Sequence, residues 1–446
     1  MATSHPEWYD PARSVPHLVT ELPGPKTQEV LDRDNAVTSP SLPRAYPFAP
    51  KRGFGSTIED VDGNLFLDFN AGIAVNSTGH GHPEVVTAVQ EQAADILHYS
   101  ASDFFLPIYS QMCQALADSA PMSEPTRVFL TNSGAEAVEG ALKLARYATG
   151  RPYVMSFYGA FHGRTMGAVS LTSSKPKYHA KFGPLLPGVI HIPYADPRKV
   201  AAGEQDEATF EALDTIFDHD VDPQEVAAIF VEPIQGEGGY IVPGEGWLAK
   251  LREVCDEHGI LLIADEVQCG MGRTGKMWAI EHTGVEPDVL LSAKGIASGL
   301  PLGAFIAKAS LMEKWTAGTH GSTYGGSPVP CAAGLATIRV IQEEGLLENA
   351  TARGEQIAAG LREIQAQHPE AIVDVRGVGL MLGVEFATPE LMLAVEREAF
   401  ERGLLLLGAG TSVVRMSPPL VLTQEEASTG LEIIAEAIAA AVASQG

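Results

Sequence analysis

The chain has 446 residues, of which 45% are hydrophobic, and carries a formal net charge of −26. This length supports a large buried core with more than one packed layer, and the acidic charge argues against nucleic acid as a partner because it would repel a phosphate backbone. No apolar run approaches the length of a membrane span, the first residues have neither the basic nor the apolar stretch typical of a leader, and the four cysteines form no close pair. We therefore expect a cytoplasmic protein with no membrane partner and no metal site.

Residues 1–75 predict an N-terminal arm followed by a β-hairpin. Residues 1–56 are rich in proline and lack sustained periodicity, which predicts an extended arm that lies on another surface, such as a partner subunit. The run STIEDVDGNLFLDF, residues 56–69, has two alternating segments around Asp62-Gly63. This pattern is typical of a tight hairpin turn.

Residues 76–335 alternate between short apolar runs and helical patterns, and we predict that they form one large domain. Continuous apolar strands separated by helices indicate a mostly parallel sheet with helices on both faces. The strand-like runs are RVFLT (127–131), AAIFVEP (227–233), GILLIADEV (259–267) and DVLLSAKG (288–295).

Residues 336–446 predict a smaller α+β domain, which we expect the N-terminal hairpin to complete. The runs IVDVRGVGLMLGVEF (372–386) and LLLLGAGTSVVRMSP (404–418) alternate with helices. The last helix opens at Thr423 with the sequence of a capping box.

Informative polar residues directly follow the strands of the large domain, where ligands of parallel sheets bind. After the first strand, Ser133-Gly134-Ala135 begins a helix whose N–H groups and positive end suit an anion such as phosphate, although an ordinary helix cap also explains the motif. Asp265 ends another strand, where a structural ion pair is the alternative interpretation.

Lys294 follows the strand next along the chain. Its amine would lose hydration there, so its pKa would fall and the neutral form could attack a carbonyl. A lysine that merely extends its charged end to solvent is the alternative for this residue alone. Together, a phosphate-ready helix start, a strand-end acid and a strand-end amine are what pyridoxal phosphate requires.

The chain resembles the class III, or omega-amino, aminotransferases of fold type I, from GPKTQEVLDRD to the final helix. The resemblance implies an α/β fold in which the large domain has a mostly parallel sheet between helices, and the N- and C-terminal segments form a smaller α+β domain. The matching segments are DFNAGIAVNSTGHGHP, TNSGAEAVEGALKLAR, GAFHGRT, EPIQGEGGY, ADEVQCGMGRTG, SAKGIASGLPLGA, GSTYGGSP and RGVGLMLGVEF.

The resemblance also implies the cofactor, pyridoxal 5'-phosphate, and the residues that bind it. Lys294 would form the Schiff base and move a proton between substrate and cofactor carbons, and Asp265 would pair with the protonated pyridine nitrogen. Phe161 would stack on the ring, and Thr323 would reach the phosphate from a neighbouring subunit, which implies a homodimer with shared active sites that could pair into a tetramer. The other implied cofactor contacts are Ser133, Gly134, Ala135, His162 and Gln268.

The substrate contacts implied by the resemblance favour a 4-aminobutyrate-like donor, an acceptor such as 2-oxoglutarate, and pyridoxamine phosphate as the intermediate. Arg415 would bind the carboxylate beside the reacting carbon, and Arg164 the distant one. Glu237 would pair with Arg415 when the donor has no carboxylate there. Ile73 stands where ornithine-using relatives carry a tyrosine.

Three alternatives stay open at this point. Acetylornithine enzymes share GIAVN and FHGRT, so an ornithine- or acetylornithine-type aminotransferase fits the same motifs. The proline-rich N-terminal arm is similar to that of a branch with amino-acid racemases and epimerases. A binding or structural protein without the cofactor is the third alternative, and the intact Lys294 and Asp265 argue against it. The sequence assigns no role to Glu232.

Overall fold

The computed structural model describes residues 5–200 and 207–445. Its strands are β1 Pro50–Phe54, β2 Thr57–Asp60, β3 Leu65–Asp68, β4 Thr126–Thr131, β5 Tyr153–Phe157, β6 Val189–Ile192, β7 Val226–Val231, β8 Leu261–Asp265, β9 Val289–Ser292, β10 Gly303–Lys308, β11 Ile372–Val378, β12 Met381–Phe386, β13 Leu404–Leu405, β14 Leu407–Ala409 and β15 Val413–Met416. Its α-helices are α1 Pro25–Val37, α2 Ala71–Ala74, α3 Pro83–Asp95, α4 Pro107–Ser119, α5 Gly134–Thr149, α6 Met166–Leu171, α7 Ala208–His219, α8 Trp247–His258, α9 Ala309–Met312, α10 Pro328–Glu343, α11 Leu346–Gln367, α12 Pro389–Glu401 and α13 Gln424–Gln445. Short 3₁₀ turns include Pro176–Tyr178 and Lys294–Ala297.

The central sheet has the strand order β4-β10-β9-β8-β7-β5-β6. Its neighbouring strands are parallel except at β10, which runs antiparallel to both β4 and β9. The carboxyl ends of β4, β7, β8 and β9 therefore point to one edge. This arrangement confirms the predicted α/β fold with a mostly parallel sheet.

Both faces of the central sheet are buried, as its continuous apolar strands predict. Along β7, Ile229 and Val231 pack into one apolar cluster, whereas Ala228 and Phe230 pack into another on the opposite face. Alternate side chains of a strand point to opposite faces, so a strand covered on both sides needs apolar residues at every position. Helix α5 belongs to the second cluster and ends at Gly150, whose φ is +71°.

The N-terminal hairpin forms as predicted, with β2 antiparallel to β3 and Gly63 at φ +97° in the turn. The hairpin belongs to a sheet of order β1-β2-β3-β13, in which β3 pairs in parallel with Leu404–Leu405. The N- and C-terminal segments are thus joined through one sheet. The domain boundaries at residues 75 and 335 stay predictions.

Helix α1 corrects the expectation that residues 1–56 are a purely extended arm. The helix buries only Thr27, so it has no apolar stripe that a periodicity argument could detect. Its first turn is held instead by the hairpin, because the Asp62 carboxylate accepts the backbone N–H groups of Lys26 and Thr27 at 2.9 and 2.8 Å. A cap supplied from a distant residue leaves no local signal in the sequence.

The C-terminal strands form an antiparallel sheet of order β11-β12-β15-β14. The run of residues 372–386 is a hairpin rather than one strand, with Gly379 at φ +55° in its turn. The predicted capping box is present, since Thr423 N–H donates to Glu426 Oε2 at 2.8 Å and Glu426 N–H donates to Thr423 Oγ at 3.1 Å.

Helix α13 differs from the expectation that no apolar run is long enough to span a membrane. Residues 424–444 reach that length and hydropathy by composition. Many of them are alanines, which raise the mean hydropathy without forming a run of bulky apolar side chains. Ala427, Ile434 and Ile438 are buried in the main apolar cluster, so one face of this helix is part of the protein core.

Glu396 on α12 is expected to make stability depend on pH. Burial raises the pKa of this carboxyl from its ordinary 4.5 to about 7, against the lowering effect of Arg415 and of the Gly408 backbone. Between pH 4.5 and pH 7 the folded state therefore keeps a proton on Glu396 that the unfolded state releases. The contribution of this group to the free energy of unfolding is fully present below pH 4.5 and is lost as pH rises through 7. Urea titrations should show wild type losing about 3 kcal/mol of unfolding free energy relative to Glu396→Gln between pH 4.5 and pH 8. A constant difference across this range would contradict the expectation.

Candidate active site

A cleft of about 490 Å³ opens at the carboxyl edge of the central sheet. The structure brings most of the predicted site residues to its wall, although they are far apart in the chain. Those that line it are Ser133, Gly134, Ala135, Phe161, His162, Arg164, Asp265, Gln268 and Lys294. The wall also includes Glu232, to which the sequence assigned no role.

The start of α5 forms one end of the cleft and suits an anion. Ser133 is the N-cap, and its hydroxyl accepts the N–H of Glu136 at 3.3 Å. Among the described residues, the N–H groups of Gly134 and Ala135 have no acceptor, so they are free to bind a ligand at the positive end of a 16-residue helix. A Cβ on Gly134 would stand 2.9 Å from Val267, which explains the glycine at this crowded point.

Asp265 is the last residue of β8 and is almost completely buried. Its Oδ2 lies 2.6 Å from His162 Nδ1, and its Oδ1 accepts the N–H of Val267 at 3.0 Å. Burial lowers the pKa of His162, but the hydrogen bond and charge of Asp265, with the charge of Glu232, outweigh that effect and raise it. His162 Nε2 is buried without a partner among the described residues, so the ring of His162 is held through Nδ1 and the Asp265 carboxylate.

Lys294 follows β9 and begins a 3₁₀ turn, with φ at +46°. Left-handed backbone is strained for a residue with a side chain, and such strain is common at functional sites. Within the described residues its amine has no hydrogen-bond or ion-pair partner. Burial, followed by the charge of Arg415, lowers the pKa of Lys294 from 10.5 to about 8, while nearby carboxylates oppose this shift. The amine is therefore much more often neutral near physiological pH than an ordinary lysine.

Glu232 directly follows β7 and joins two loops of the site. Its Oε1 accepts the N–H of Phe161 at 3.0 Å, and its Oε2 accepts the N–H of Gly236 at 2.8 Å. Burial raises the pKa of this carboxyl to about 7. Its position after a strand, like that of Asp265, was the only signal in the sequence, and its role is to hold the backbone of the cleft in place.

Gln268 is oriented by a residue that sequence reasoning did not identify. The Tyr240 hydroxyl donates to Gln268 Oε1 at 3.0 Å, and Tyr240 is completely buried. Phe161, on another side of the cleft, is half-buried and meets the ring of Tyr178 edge-on at 5.5 Å between centroids. Gln268 and Phe161, the two residues predicted to contact the cofactor ring, are thus each held by a buried tyrosine.

Arg415 and Arg164, the two arginines predicted to bind substrate carboxylates, are linked to each other through Glu237 and Tyr178. Arg415, in β15, is buried, and its Nη1 lies 3.2 Å from Glu237 Oε2. The other oxygen of Glu237 contacts the Tyr178 hydroxyl at 3.2 Å and the Lys175 ammonium at 3.4 Å. The guanidinium of Arg164 lies 4.4 Å from the centroid of the Tyr178 ring. No sequence pattern pointed to Lys175 or Tyr178.

The structure does not bring Ile73 and Thr323 to the cleft wall of their own chain. Ile73 is 42% exposed, and its N–H is fixed by the Asn70 side chain at 2.9 Å. Thr323 is exposed, and its neighbour Ser322 lies 3.4 Å from the amide nitrogen of Asn132, which does line the cleft. Thr323 is therefore at the surface, close to the end of the cleft that the start of α5 forms.

Comparison with known proteins places this geometry in context. The family model described as Aminotransferase class-III matches residues 40–438. The chain is similar to an alanine/serine racemase of Pyrococcus horikoshii, at 42% identity over 95% of this chain and 92% of the relative. It is also similar to the 5-aminovalerate aminotransferase DavT of Pseudomonas aeruginosa, at 42% identity over 92% and 98% of the two chains. A 4-aminobutyrate aminotransferase of Mycobacterium leprae is 39% identical over 94% and 96%.

Among solved structures, the chain is similar to the ornithine aminotransferase of Toxoplasma gondii. The TM-score is 0.85 at 33% identity, and the match covers 94% of this chain and 95% of that one. That structure is described as having partial occupancy of PLP at the protein active site. The fold, the cleft and the relatives therefore agree on one class of chemistry.

Proposed function

This chain belongs to the class-III aminotransferases, which use pyridoxal 5'-phosphate, and we propose that it moves the amino group of a 4-aminobutyrate-like ω-amino acid to 2-oxoglutarate. The observation that carries this proposal is the ion pair between Arg415 and Glu237 beside the cleft. It neutralises the arginine nearest the reacting position, so a donor without a carboxylate there leaves no buried charge unpaired.

The residues of the cleft fit the cofactor. The free N–H groups of Gly134 and Ala135 would hold its phosphate, and Asp265 would hold its ring nitrogen in the protonated form. Phe161 would cover a ring face, and Gln268 would meet the ring oxygen. When bound, pyridoxal phosphate supplies an electron sink that stabilises negative charge at the substrate carbon.

Lys294 then supplies the proton transfer. Its neutral amine would accept a proton from the substrate carbon, and the resulting ammonium would give that proton to the cofactor carbon, which leaves the amine neutral again. The lowered pKa of about 8 suits both steps, since neither the amine nor the ammonium is strongly favoured near that pH. The burial of Asp265 and the partial burial of Lys294 limit competing reactions with water.

The two arginines distinguish the two substrates by the number of carboxylates. The distant carboxylate of either substrate would pair with Arg164, which lines the cleft. 2-Oxoglutarate has a second carboxylate beside its reacting carbon, which would take Arg415 after Glu237 moves aside. Ile73 lies outside the cleft wall of its own chain, so its support for an ω-amino acid over ornithine comes from the resemblance alone: ornithine-using relatives carry a tyrosine at this position, and isoleucine offers no hydrogen-bond partner for a second amino group.

We also propose that the enzyme is a cytoplasmic homodimer in which Thr323 completes the partner's phosphate site. Several large apolar side chains are exposed on the single chain, which supports a protein partner for this surface. They include Leu97, Tyr99, Phe104, Phe105 and Tyr324, which follows Thr323 directly.

The donor assay tests this proposal. When 4-aminobutyrate is added to the enzyme loaded with pyridoxal phosphate, the visible absorption of the lysine-bound cofactor is expected to disappear. The absorption should return when 2-oxoglutarate is added, while L-glutamate is released. Beta-alanine, 5-aminovalerate, ornithine and acetylornithine serve as comparison donors in the same assay. A clearly faster reaction with ornithine or acetylornithine would contradict the proposed donor.

A second candidate is an amino-acid racemase, which the alanine/serine racemase relative favours. An α-amino acid has a carboxylate beside its amine, so it would displace Glu237 from Arg415 in the same way as the oxo acid. Incubation with L-alanine or L-serine in the absence of any oxo acid distinguishes the two functions. Catalytic formation of the D-enantiomer would support the racemase, and its absence would remove this candidate.

A further inference from the structure

The backbone around Glu237 is held by two hydrogen bonds, one at its own carbonyl and one at the N–H of the preceding residue. The Glu237 carbonyl accepts the N–H of Gly410 at 2.8 Å, and the preceding N–H of Gly236 is bound by Glu232 at 2.8 Å. The peptide backbone therefore cannot shift without breaking these hydrogen bonds. Any movement of Glu237 away from Arg415 is a movement of the side chain alone.

The two carboxylate oxygens of Glu237 have different partners. Oε2 lies 3.2 Å from Arg415 Nη1. Oε1 accepts from the Tyr178 hydroxyl at 3.2 Å and from Lys175 Nζ at 3.4 Å. The carboxylate of Glu237 thus lies between Arg415 and a second cation, Lys175. It can separate from Arg415 while it keeps its contact with Lys175.

The second set of partners matters because the Glu237 side chain is only 16% exposed. Displacing a carboxylate from its counter-ion in such a place is costly if it leaves the charge unpaired. We propose that Lys175 and Tyr178 are positioning residues that retain the Glu237 carboxylate when a substrate carboxylate takes Arg415. This inference rests on the proposed function, since it assumes that Arg415 binds the carboxylate beside the reacting carbon.

Tyr178 adds a link between the two clamps. Its ring lies under the guanidinium of Arg164, and its hydroxyl donates to Glu237. The aromatic face of Tyr178 packs against Arg164, whereas its hydroxyl donates to Glu237 and also interacts with Arg164. Tyr178→Phe therefore keeps the packing on Arg164 and removes the polar contacts of the hydroxyl.

The test compares substrates with and without a carboxylate beside the reacting carbon. Lys175→Met keeps the length of the side chain and removes its charge. We expect it to raise the KM for 2-oxoglutarate and L-glutamate about fivefold, as for the loss of one partly exposed ion pair. The KM for 4-aminobutyrate and succinic semialdehyde should change less than about twofold, since these substrates leave the Arg415–Glu237 pair intact. Tyr178→Phe should shift the same two substrates in the same direction.

Two controls make this split specific. Lys181→Met removes an equal charge from the same segment, but among the described residues Lys181 is exposed and forms no ion pair with Glu237 and no contact with the Tyr178 ring, so all four KM values should stay near those of wild type. In a Glu237→Gln background, Lys175→Met should have no further effect on the ratio of KM values, because the charge that Lys175 holds is absent.

An equal change for all four substrates after Lys175→Met, or no change for any, would overturn the inference. Failure of the proposed function has a different signature. If wild type reacts with L-glutamate but not with 4-aminobutyrate, the proposed donor is wrong, while the effect of Lys175→Met on the KM for L-glutamate still tests the role of Lys175.

Discussion

Replacing Lys294 by alanine is expected to lower the rate of amino transfer by about 10⁴-fold or more, because one amine supplies both the nucleophile and the proton carrier. Its position after β9, its lowered pKa of about 8 and the lack of a hydrogen-bond partner in the part of the chain that the structure describes all leave this amine available for reaction. Single-turnover kinetics with a saturating donor, followed by absorbance, measure the loss directly. A variant that keeps about a tenth of the wild-type rate would contradict the assigned role.

Lys294→Arg is the matched control for charge. The guanidinium stays protonated and cannot accept a proton, so an equal loss in both variants would assign the effect to the amine rather than to its charge. Thermal unfolding of both variants should stay close to that of wild type. After borohydride reduction of wild type, peptide mapping is expected to find the mass of the cofactor on the peptide that contains Lys294, and in neither variant.

The pH dependence of cofactor uptake gives a second measurement on the same residue. Only the neutral amine attacks the cofactor carbonyl. The rate at which the apoprotein binds pyridoxal phosphate covalently should therefore rise with pH, with a midpoint at about 8. A midpoint near the ordinary lysine value would show that burial does not lower this pKa in the apoprotein.

Replacing Asp265 by asparagine is expected to lower the rate about 10²–10³-fold, which corresponds to ~3–4 kcal/mol of lost transition-state stabilisation. The neutral amide no longer favours a protonated ring nitrogen, so the cofactor withdraws electrons less strongly. The substitution also removes the charge that raises the pKa of His162. Single-turnover rates and the visible spectrum of the bound cofactor provide the measurement.

Asp288→Asn serves as the control for this prediction. Asp288 is also a buried carboxylate beside the central sheet, but it precedes β9 and is paired with Arg252 at 2.8 Å and Lys308 at 2.6 Å. Its loss should lower the melting temperature and leave the rate per active site within about twofold of wild type. If both substitutions reduce the rate equally, the effect of Asp265→Asn is one of folding rather than of chemistry.

The fold could be predicted from the sequence where the signal is local and repeated. The apolar runs of β7, β8 and β9 predict strands covered on both faces, and the structure confirms the sheet. Helix α1 could not be predicted in this way, because it buries almost nothing and is capped by Asp62 from a turn some 35 residues away. The helix is stabilised by a tertiary contact, and a tertiary contact has no period in the sequence.

In the candidate site, too, the residues with a local sequence signal could be predicted, and those that depend on tertiary contacts could not. Asp265 and Lys294 could be singled out because charged groups at the ends of apolar strands are costly unless they have a role. Lys175 and Tyr178 could not, since they lie in an irregular segment after α6, and only the folded chain places them against Glu237. Resemblance to a family carried over the roles of Arg415 and Glu237, but not those of the residues that hold them.

The pairing of β3 with β13 has a consequence for how the chain is made. Leu67 and Leu404 are partners in one sheet, although about 340 residues separate them. A ribosome that adds ~5–20 residues per second needs roughly 20–70 s to deliver the second strand after the first. During that interval β3 presents an open edge, which is a template for pairing with other chains. Newly made chains are therefore open to aggregation through their N-terminal hairpin, and a chaperone that shields this segment would be needed until Leu404–Leu405 has been made.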